Sequence, residues 1–399
     1  MSPPATGHSA AYIAELKKRL NSHRKWVIGT RGGMQADLSF YDMSQLPLGG
    51  VVLRNAKLVG TSFSRSNLSR ADLKAAVLMM AEFEGADLSQ ADLLGADLRG
   101  ACFNGANLAE ANLAGADLRT GSLGAVSTKQ QASAGTPVSR RTELMDANLN
   151  RAILVGSNLE NCDLTGAELV DADLSGADLT GAILVSTDLS GATLKNTTLT
   201  GAVLSGALLD PDAVARMAQQ GINPDGNLES LGERLFELLA HHQEWLDSEG
   251  RAGQRLELDL ADLSDAPLGE VDLSAAKIQR CNLRNANLAG SNLMMADLSY
   301  SNLSGADLSG ANLSGCGMRR VNLTGGSLRD SVLLSVPVGD LHRPWPTNLQ
   351  YAKLNDCDLR CRAAAGVILR HADLTGARVN MALMKGSDTG GARLPTTRG

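Results

Sequence analysis

The chain has 399 residues, of which 43% are hydrophobic but only 3% aromatic, so its core must be built mainly from aliphatic side chains. A formal net charge of −6 gives no general attraction to nucleic acid or to a membrane surface. No stretch approaches the length of apolar sequence that spans a bilayer, and the first residues lack the features of a signal peptide. These features predict a cytoplasmic protein of about two domains.

The N-terminal segment, 1–33, is predicted to form an amphipathic capping helix that carries Leu16, Leu20, His23 and Trp26. The end of a repeat solenoid exposes an apolar core and an unpaired backbone edge, which a helix of this kind can cover. We expect Trp26 to plug the apolar end and His23 to satisfy an exposed backbone group. A structural role of this kind is favoured over catalysis.

A large apolar residue then returns at every fifth position through 34–210, usually as Leu in the phrase Ala-Asp/Asn-Leu. A helix with 3.6 residues per turn would scatter these leucines around all its faces, and a strand would send successive ones to opposite sides. The spacing is satisfied if the backbone bends at every repeat and each Leu points into a closed coil. The segment is therefore predicted to be a solenoid.

Three of the five phenylalanines, Phe63, Phe83 and Phe103, occupy the Leu position at intervals of twenty residues. Twenty residues are four repeats, so the three rings would stack in one core column if four repeats close a coil. The Ala two places before each Leu is expected to point inward. Glycines such as Gly85 at the last position are expected to relieve the corner.

On these residues the chain resembles the bacterial pentapeptide-repeat proteins. The resemblance covers most of the chain and implies a mainly β fold, a right-handed quadrilateral β-helix. With the capping helices, the predicted architecture is two solenoids with short α-helical caps.

The second half repeats the first. The segment 211–253 is predicted to be a helical linker and cap, with a first helix that begins after Asp210 and ends at Gly221. Its second helix carries His242 and Trp245, which match His23 and Trp26 at a constant offset. A second solenoid is predicted for 254–386 and a C-terminal tail for 387–399. The chain is thus a tandem duplication.

Each solenoid contains a late insertion, at about 124–141 in the first and 336–346 in the second. The first is rich in Ser, Thr, Gln and Ala and is expected to be a mobile surface loop. The second has three prolines around Trp345. It is interpreted either as a tolerated insertion packed on the solenoid or as a contact site for a partner, with Trp345, His342 and Arg343 as the contact residues.

Nothing in the sequence indicates catalysis, because unlike reactive groups do not converge on a pocket. The nearest approach to a metal site is Cys357, Cys361 and His371, but Cys357 is expected to point inward and Cys361 outward. Cys162, Cys281 and Cys316 also occupy the small inward position, which suits reduced thiols. We predict no enzyme activity, no metal and no cofactor.

The segment from Glu143 to Asp210 carries ten acidic and two basic residues. In the quinolone-resistance branch of the family that the chain resembles, an acidic rod imitates the DNA gripped by a type II topoisomerase. The alternative is that the acids only keep the surface solvated, since four of them should occupy four different sides of one coil. The candidate acidic surface consists of Glu143, Asp163, Glu168, Asp173, Asp178 and Asp188.

The leading hypothesis is a non-catalytic adaptor or scaffold that binds a protein partner of unknown identity, without direct contact to nucleic acid or membrane. The phrase Leu-x-x-His-x-x-Trp-Leu resembles large bacterial pentapeptide proteins encoded beside type VI secretion genes, which implies a possible link to secretion. The alternative hypothesis is a DNA-mimicking topoisomerase binder. The sequence does not fix the oligomeric state.

Overall fold

A computed structural model of the chain describes residues 8–123, 138–219, 228–339, 343–380, 383 and 385–395. Three helices are present in these ranges, α1 (Ala10–Val27), α2 (Pro211–Gln219) and α3 (Arg234–Asp247). The strands are short: β1 (Gly121–Leu123), β2 (Val138–Arg140), β3 (Glu229–Ser230), β4 (Glu257–Asp259), β5 (Ala261–Asp262), β6 (Lys277–Gln279), β7 (Val332–Leu333), β8 (Val336–Val338), β9 (Arg343–Trp345), β10 (Asp358–Leu359), β11 (Ala363–Ala364) and β12 (Arg378–Val379).

Most β structure consists of isolated parallel bridges between residues twenty positions apart. Four consecutive repeats give four such bridges, Glu82 to Cys102, Asp87 to Asn107, Asp92 to Asn112 and Asp97 to Asp117. Each bridge is made by backbone hydrogen bonds, as where the amide of Leu93 donates to the carbonyl of Asn112 at 2.7 Å. One coil therefore contains four repeats and has four sides.

The chain divides into two compact units. The first comprises Met1–Val203 and Ala207–Asn223, and the second comprises Leu204–Gly206 and Pro224–Gly399. In each unit the leucines at the fifth positions form a continuous buried file, and the small residue two places earlier is buried beside them. Burial of one such Leu contributes about 2 kcal/mol, so the file provides most of the apolar stabilisation.

The repeated phrase Ala-Asp/Asn-Leu has a local physical cause at the corner of the coil. In the repeat around Leu88, the carboxylate of Asp87 accepts the amide of Ser89 at 3.0 Å, and the same contact recurs at Asp173 and Asn292. Gly85 and Gly95 at the corner have φ of 62°, the left-handed region where glycine avoids the steric penalty of a Cβ. Asp or Asn thus closes the turn that the next residues make.

The coil continues further toward the C-terminus than the sequence indicates. Asp388 pairs with Ile368, and Arg393 pairs with Asp373, in the same parallel register as the preceding coils. The prediction of a tail at 387–399 was therefore wrong as far as 393. Thr389 occupies the first Leu position of this stretch, so the hydrophobic signal is interrupted although the backbone pairing persists.

Helix α2 follows the last coil of the first unit. The carbonyl of Asp210 accepts the amide of Val214 at 3.1 Å, which places Asp210 at the start of the helix. Ala213 and Met217 on this helix are buried. The predicted end at Gly221 lies outside the described residues.

Candidate partner-binding surface

The insertion of the second unit contains an antiparallel hairpin. Strands β8 and β9 pair with Val336 opposite Trp345, Pro337 opposite Pro344 and Val338 opposite Arg343. Neither proline has an amide to donate. The hairpin therefore presents mainly side chains, and both strands are largely exposed.

Trp345 lies over a glycine at the corner of the solenoid. A Cβ added to Gly315 would be 2.7 Å from Sδ of Met295, 3.1 Å from Cγ2 of Val336 and 3.3 Å from Cδ1 of Trp345. The three side chains thus converge on the bare Cα of Gly315, yet 55% of Trp345 stays exposed. Leu334 and Val338 beside them are also exposed.

We call this set the apolar corner; it consists of Met295, Leu334, Val336, Val338 and Trp345. Of the other two predicted contact residues, Arg343 is exposed in β9. His342 lies outside the described residues.

The strands on either side of the first insertion form the equivalent antiparallel pair at the equivalent corner; residues 124–137, where the sequence predicts a loop, lie outside the described residues. Strands β1 and β2 pair with Gly121 opposite Arg140, so Arg140 occupies the position of Trp345. A Cβ added to Gly100 would be 2.5 Å from Sδ of Met80 and 3.0 Å from the carbonyl oxygen of Arg140. Gly100 therefore corresponds to Gly315.

Arg140 is used within the fold. Its Nε donates to the carbonyl of Gly100 at 2.7 Å, and its guanidinium forms an ion pair with Glu82 at 2.5 Å. Met80 is buried beneath this hairpin. The first hairpin is therefore closed by polar contacts at the place where the second exposes an aromatic ring.

Sequence reasoning missed Arg140, Met295 and Gly315. The signal for them was available, because the pair Met79-Met80 matches Met294-Met295 and the two glycines keep the same offset. What the sequence did not reveal is that both insertions pair as hairpins over these glycines.

The six acidic residues of the candidate acidic surface do not form a continuous stripe. Glu143 pairs with Asp163, and Glu168 with Asp188, but the next partners are Ile183 and Leu208. Asp163 is buried and accepts the amide and hydroxyl of Thr165. Asp173, Asp178 and Asp188 accept the amide two residues later in the same way.

The remaining carboxylates are also engaged locally. Glu143 accepts from the side-chain amide of Asn104 at 2.8 Å, and Glu168 from that of Asn150 at 3.3 Å. Hydrogen bonds from Ser175 hold the pKa of Asp173 below its ordinary value. The six carboxylates therefore form local hydrogen bonds, most of them closing a turn, on different sides of the coil.

The three phenylalanines stack in one column. Phe63 and Phe83 have ring centroids 5.0 Å apart, and Phe83 and Phe103 are 4.7 Å apart, with nearly parallel planes. All three are fully buried. The column is part of the core and is not accessible to a partner.

The two capping helices use their His and Trp in the same way. The Nδ1 atom of His23 accepts the amide of Ala36 at 3.0 Å, and that of His242 accepts the amide of Leu256 at 3.1 Å. Both imidazoles are fully buried, and burial lowers the pKa of each. Each histidine thus satisfies a backbone group at the start of its solenoid.

The expected role of the tryptophans as plugs was wrong. Trp26 is 37% exposed and stacks on His23 with ring centroids 5.5 Å apart; Trp245 stacks on His242 at 5.7 Å. The imidazole takes the buried place because it can accept the backbone amide, which indole cannot. The indole stacks on the outer face of the imidazole.

The cysteine cluster does not form a metal site. Cys361 is buried, contrary to the expected outward orientation, because the backbone turns early and its amide bonds to the carbonyl of Leu359 at 2.9 Å. Burial raises the pKa of Cys361 to about 11 and that of Cys357 to about 12. His371 instead stacks on Tyr351. Among the described residues, no three His, Cys, Asp or Glu side chains are grouped as metal ligands.

Within the described ranges, every helix is too short or too polar to cross a bilayer.

The sequence matches the family model of pentapeptide repeats in 8 copies, over residues 48–79, 81–119, 142–181, 172–210, 266–299 and 291–330. Together these matches cover just over half of the chain. No curated protein matches the sequence.

Several solved structures are similar. HetL, a pentapeptide repeat protein involved in heterocyst differentiation regulation in the cyanobacterium Nostoc sp. strain PCC 7120, is 19% identical over 97% of this chain and 94% of its own, with a TM-score of 0.20. Trypsin-treated QnrB1, a plasmid-mediated fluoroquinolone resistance protein, is 20% identical over 45% of this chain and 86% of its own, with a TM-score of 0.29.

A pentapeptide repeat protein from the Arabidopsis thaliana thylakoid lumen is 21% identical over 46% of this chain and 75% of its own, with a TM-score of 0.12. At such identities and scores these likenesses carry no argument about function.

Proposed function

The chain belongs to the pentapeptide-repeat family, and we propose that it is a non-catalytic scaffold that binds a partner protein through the apolar corner of its second unit. The supporting observation is Trp345, which is 55% exposed over Gly315, whereas the equivalent Arg140 is fixed in an ion pair. The two hairpins share the same strand pairing over an equivalent glycine, so the backbone structure at this corner does not require an exposed ring.

The composition of the apolar corner suits a protein interface. Tryptophan is enriched among the few residues that dominate binding energy, particularly where apolar neighbours exclude water around it. Trp345 is paired with Val336 across the hairpin and shares the space over Gly315 with Met295, which reduces the entropy that it would lose on binding. Methionine adds an adaptable apolar contact.

Recognition through side chains is favoured over addition of a strand. Pro337 and Pro344 face each other in the hairpin, and both lack an amide. A partner strand would therefore find an interrupted row of donors along either edge.

The experiment that tests the proposal is a quantitative pull-down from the source organism with full-length wild type, Trp345→Ala and the matched control Arg140→Ala. We expect at least one partner to be recovered about tenfold less with Trp345→Ala, the effect of losing about 1.4 kcal/mol. Arg140→Ala should keep that partner. Equal recovery of every protein by Trp345→Ala and wild type would rule the assignment out.

We also infer that the coils are right-handed. Each side of a coil pairs in parallel with the side twenty residues later, so every coil is a crossover between parallel strands. Such crossovers are right-handed in nearly all proteins. An experimental electron-density map would reveal a left-handed coil directly.

A cytoplasmic location and an association with a secretion system are proposals from the sequence alone. The location is supported by the six cysteines, all of which are free thiols. The association is supported by the Leu-x-x-His-x-x-Trp-Leu phrase of the second cap. Cell fractionation tests the location, and the identity of the partner lost with Trp345→Ala tests the association.

Imitation of DNA is a second candidate function, supported by the excess of acids between Glu143 and Asp210. Its weakness is that carboxylates stack in columns of only two, which a topoisomerase groove would not read as a duplex. We expect no inhibition of gyrase supercoiling at micromolar protein. Inhibition that Glu168→Gln abolishes would favour this function over the first.

A further inference from the structure

The helix that caps the first unit carries a local excess of positive charge. Helix α1 has five Lys or Arg residues and one acidic residue, whereas α3, which caps the second unit, has one Arg and three acidic residues. The formal net charge of −6 for the whole chain hides this difference. All five basic side chains of α1 are exposed: Lys17, Lys18, Arg19, Arg24 and Lys25. The first cap is therefore a positive surface on a chain that is acidic as a whole.

Most of these charges have no counter-ion within the chain. Arg19 pairs with Glu15 at 3.0 Å, one turn earlier on the same helix. Among the described residues, no ion pair involves the other four basic side chains of α1, or the exposed Arg31 in the loop that follows the helix. The positive charge is therefore available to a binding partner.

Exposed apolar side chains lie at the C-terminal end of the same helix. Ile28, which caps the helix, is 68% exposed, and Met34 is 69% exposed. The amide of Met34 donates to the carbonyl of Ser22 at 3.3 Å, so the loop folds back onto the end of α1. Trp26 is partly exposed, with one ring face on His23. We call this surface the basic cap; it consists of Arg24, Lys25, Trp26, Ile28, Arg31 and Met34.

The second cap shows that the fold does not need this surface. Both caps keep the stacked His and Trp, and both place a glycine against the helix backbone. A Cβ on Gly33 would be 2.1 Å from the backbone nitrogen of Trp26, and a Cβ on Gly253 would be 2.6 Å from that of Trp245. With these residues aligned, the equivalents of Arg24, Lys25, Ile28 and Met34 are polar or acidic: Gln243, Glu244, Asp247 and Gln254. Capping alone therefore does not explain the basic cap.

Positive charge combined with exposed apolar side chains matches the surface of an anionic lipid bilayer. Lys and Arg are attracted to anionic headgroups, and apolar side chains on a surface helix enter the boundary between headgroups and acyl chains. Tryptophan is enriched at that boundary. A bilayer therefore uses both features of the basic cap.

Other partners would use only part of this surface. A nucleic-acid backbone would meet the positive charge but leave Ile28 and Met34 in water. A protein interface is a poorer match because lysine, which is depleted in such interfaces, supplies three of the five basic residues of α1. The composition of the first cap thus favours lipid.

We propose that the basic cap binds the anionic headgroups of a membrane surface. Arg24, Lys25 and Arg31 contact the headgroups. Ile28 and Met34 insert between them, and α1 stays at the surface of the bilayer. This surface belongs to the first unit and does not depend on the role proposed for Trp345.

Co-sedimentation of the full-length protein with lipid vesicles tests the proposal. Vesicles made from an equal mixture of phosphatidylcholine and phosphatidylglycerol are compared with vesicles of phosphatidylcholine alone. We expect the affinity for the anionic vesicles to be at least about tenfold higher than for the neutral ones. Binding to the anionic vesicles should weaken as salt is raised.

Variants that copy the second cap identify the residues responsible. Arg24→Gln/Lys25→Glu and Ile28→Asp/Met34→Gln should each lower the affinity for anionic vesicles about tenfold. Both introduce residues that the second cap already carries, so their melting temperatures should stay within a few degrees of wild type. Trp345→Ala should bind the vesicles as wild type does, which separates the basic cap from the apolar corner.

The fluorescence of Trp26 reports insertion directly. The chain has three tryptophans, so Trp26 is the only one left in Trp245→Phe/Trp345→Phe. Its emission should be quenched by anionic vesicles whose acyl chains are brominated close to the headgroup, and this quenching should be lost when Ile28→Asp/Met34→Gln is added. The proposal is overturned if wild type binds both kinds of vesicle equally or neither, if the two cap variants bind as wild type does, or if an oligo-dT displaces the protein from anionic vesicles at equal charge concentration.

Discussion

The two hairpins occupy the same position on their coils and differ at one decisive residue. In the first unit Arg140 donates to Gly100 and pairs with Glu82, whereas in the second unit Trp345 covers Gly315 and stays largely exposed. The shared hairpin pairing and the shared glycine show what the fold requires at this corner. The residue that differs is available for another task.

Another corner shows a similar difference at two positions. Gly85 and Gly105 fill in the first unit the positions of Tyr300 and Arg320 in the second. A tandem duplication therefore acts as an internal control, because one unit demonstrates that the other could fold without its unusual side chains. The exposed ring of Trp345 assigns the candidate partner-binding surface to the second unit.

The largest expected effect concerns a difference in the cores. The ring of Phe83 is stacked between Phe63 and Phe103, while the equivalent position in the second unit is the buried Leu298. Phe83→Asp should destabilise the first unit by about 4 kcal/mol or more, because it removes a buried ring and places a carboxylate among apolar groups. Denaturant unfolding followed by circular dichroism measures this loss.

Phe83→Leu is the control, since it introduces the residue of the second unit. Its cost should be about 1 to 2 kcal/mol, the effect of a smaller apolar side chain in the same place. A wild-type unfolding curve for Phe83→Asp would contradict the buried column.

The next largest effect is a difference between the two hairpins in how much one side chain contributes to the free energy of unfolding. Arg140→Ala removes a hydrogen bond to Gly100 and a half-exposed ion pair with Glu82, and should cost about 2 kcal/mol. Trp345→Ala should cost less than about 1 kcal/mol, because more than half of the ring is already in water. Thermal melts of both variants measure this difference. A larger loss of stability for Trp345→Ala than for Arg140→Ala would mean that Trp345 contributes mainly to folding.

The capping helices, by contrast, are predicted to behave alike. His23 and His242 accept a backbone amide through Nδ1, which requires the neutral ring, and burial lowers the pKa of each. A lowered folded pKa means that the unfolded chain binds more protons, so stability is complete above about pH 6.5, the ordinary histidine pKa, and falls as the pH drops below it.

The groups facing the two histidines define the environment of this titration. The carbonyl of Arg54 faces His23, and the carbonyl of Ser274, Asp272 and Arg255 act on His242. Melting temperature measured between pH 7.5 and 5 should fall less for His23→Ala than for wild type, after an initial loss of about 1 to 2 kcal/mol for the unpaired amide of Ala36. An identical pH profile for the variant would exclude His23 as the titrating group.

Much of the coil could be predicted from the sequence because its signals are short-range. The spacing of five fixes which side chains turn inward, and the twenty-residue spacing of Phe63, Phe83 and Phe103 fixes how many repeats close a coil. The membership of the repeat family was predicted from the same phrase and is confirmed.

The features that were not predicted depend on contacts between distant residues. Cys361 was expected outside because the repeat was counted through it, but an early turn after Leu359 carries it into the core. Trp26 is displaced from the buried position because His23 occupies it and accepts the amide of Ala36, thirteen residues further along the chain. The stacking of Arg320, Tyr351 and His371 depends on contacts between coils, which no five-residue phrase encodes.

The smallest effect tests the corner where the first unit has Gly105 and the second unit has Arg320. Gly105 has φ of 66° and a free space around an added Cβ, so Gly105→Ala should cost about 1 kcal/mol from backbone conformation alone. Arg320→Gly should recover a similar amount but lose the cation–π contact with Tyr351, leaving a net change near zero. Differential scanning calorimetry resolves both. A clear loss of stability for Arg320→Gly would mean that the contacts of Arg320 serve the fold, and the two units would then differ in what they require at this corner.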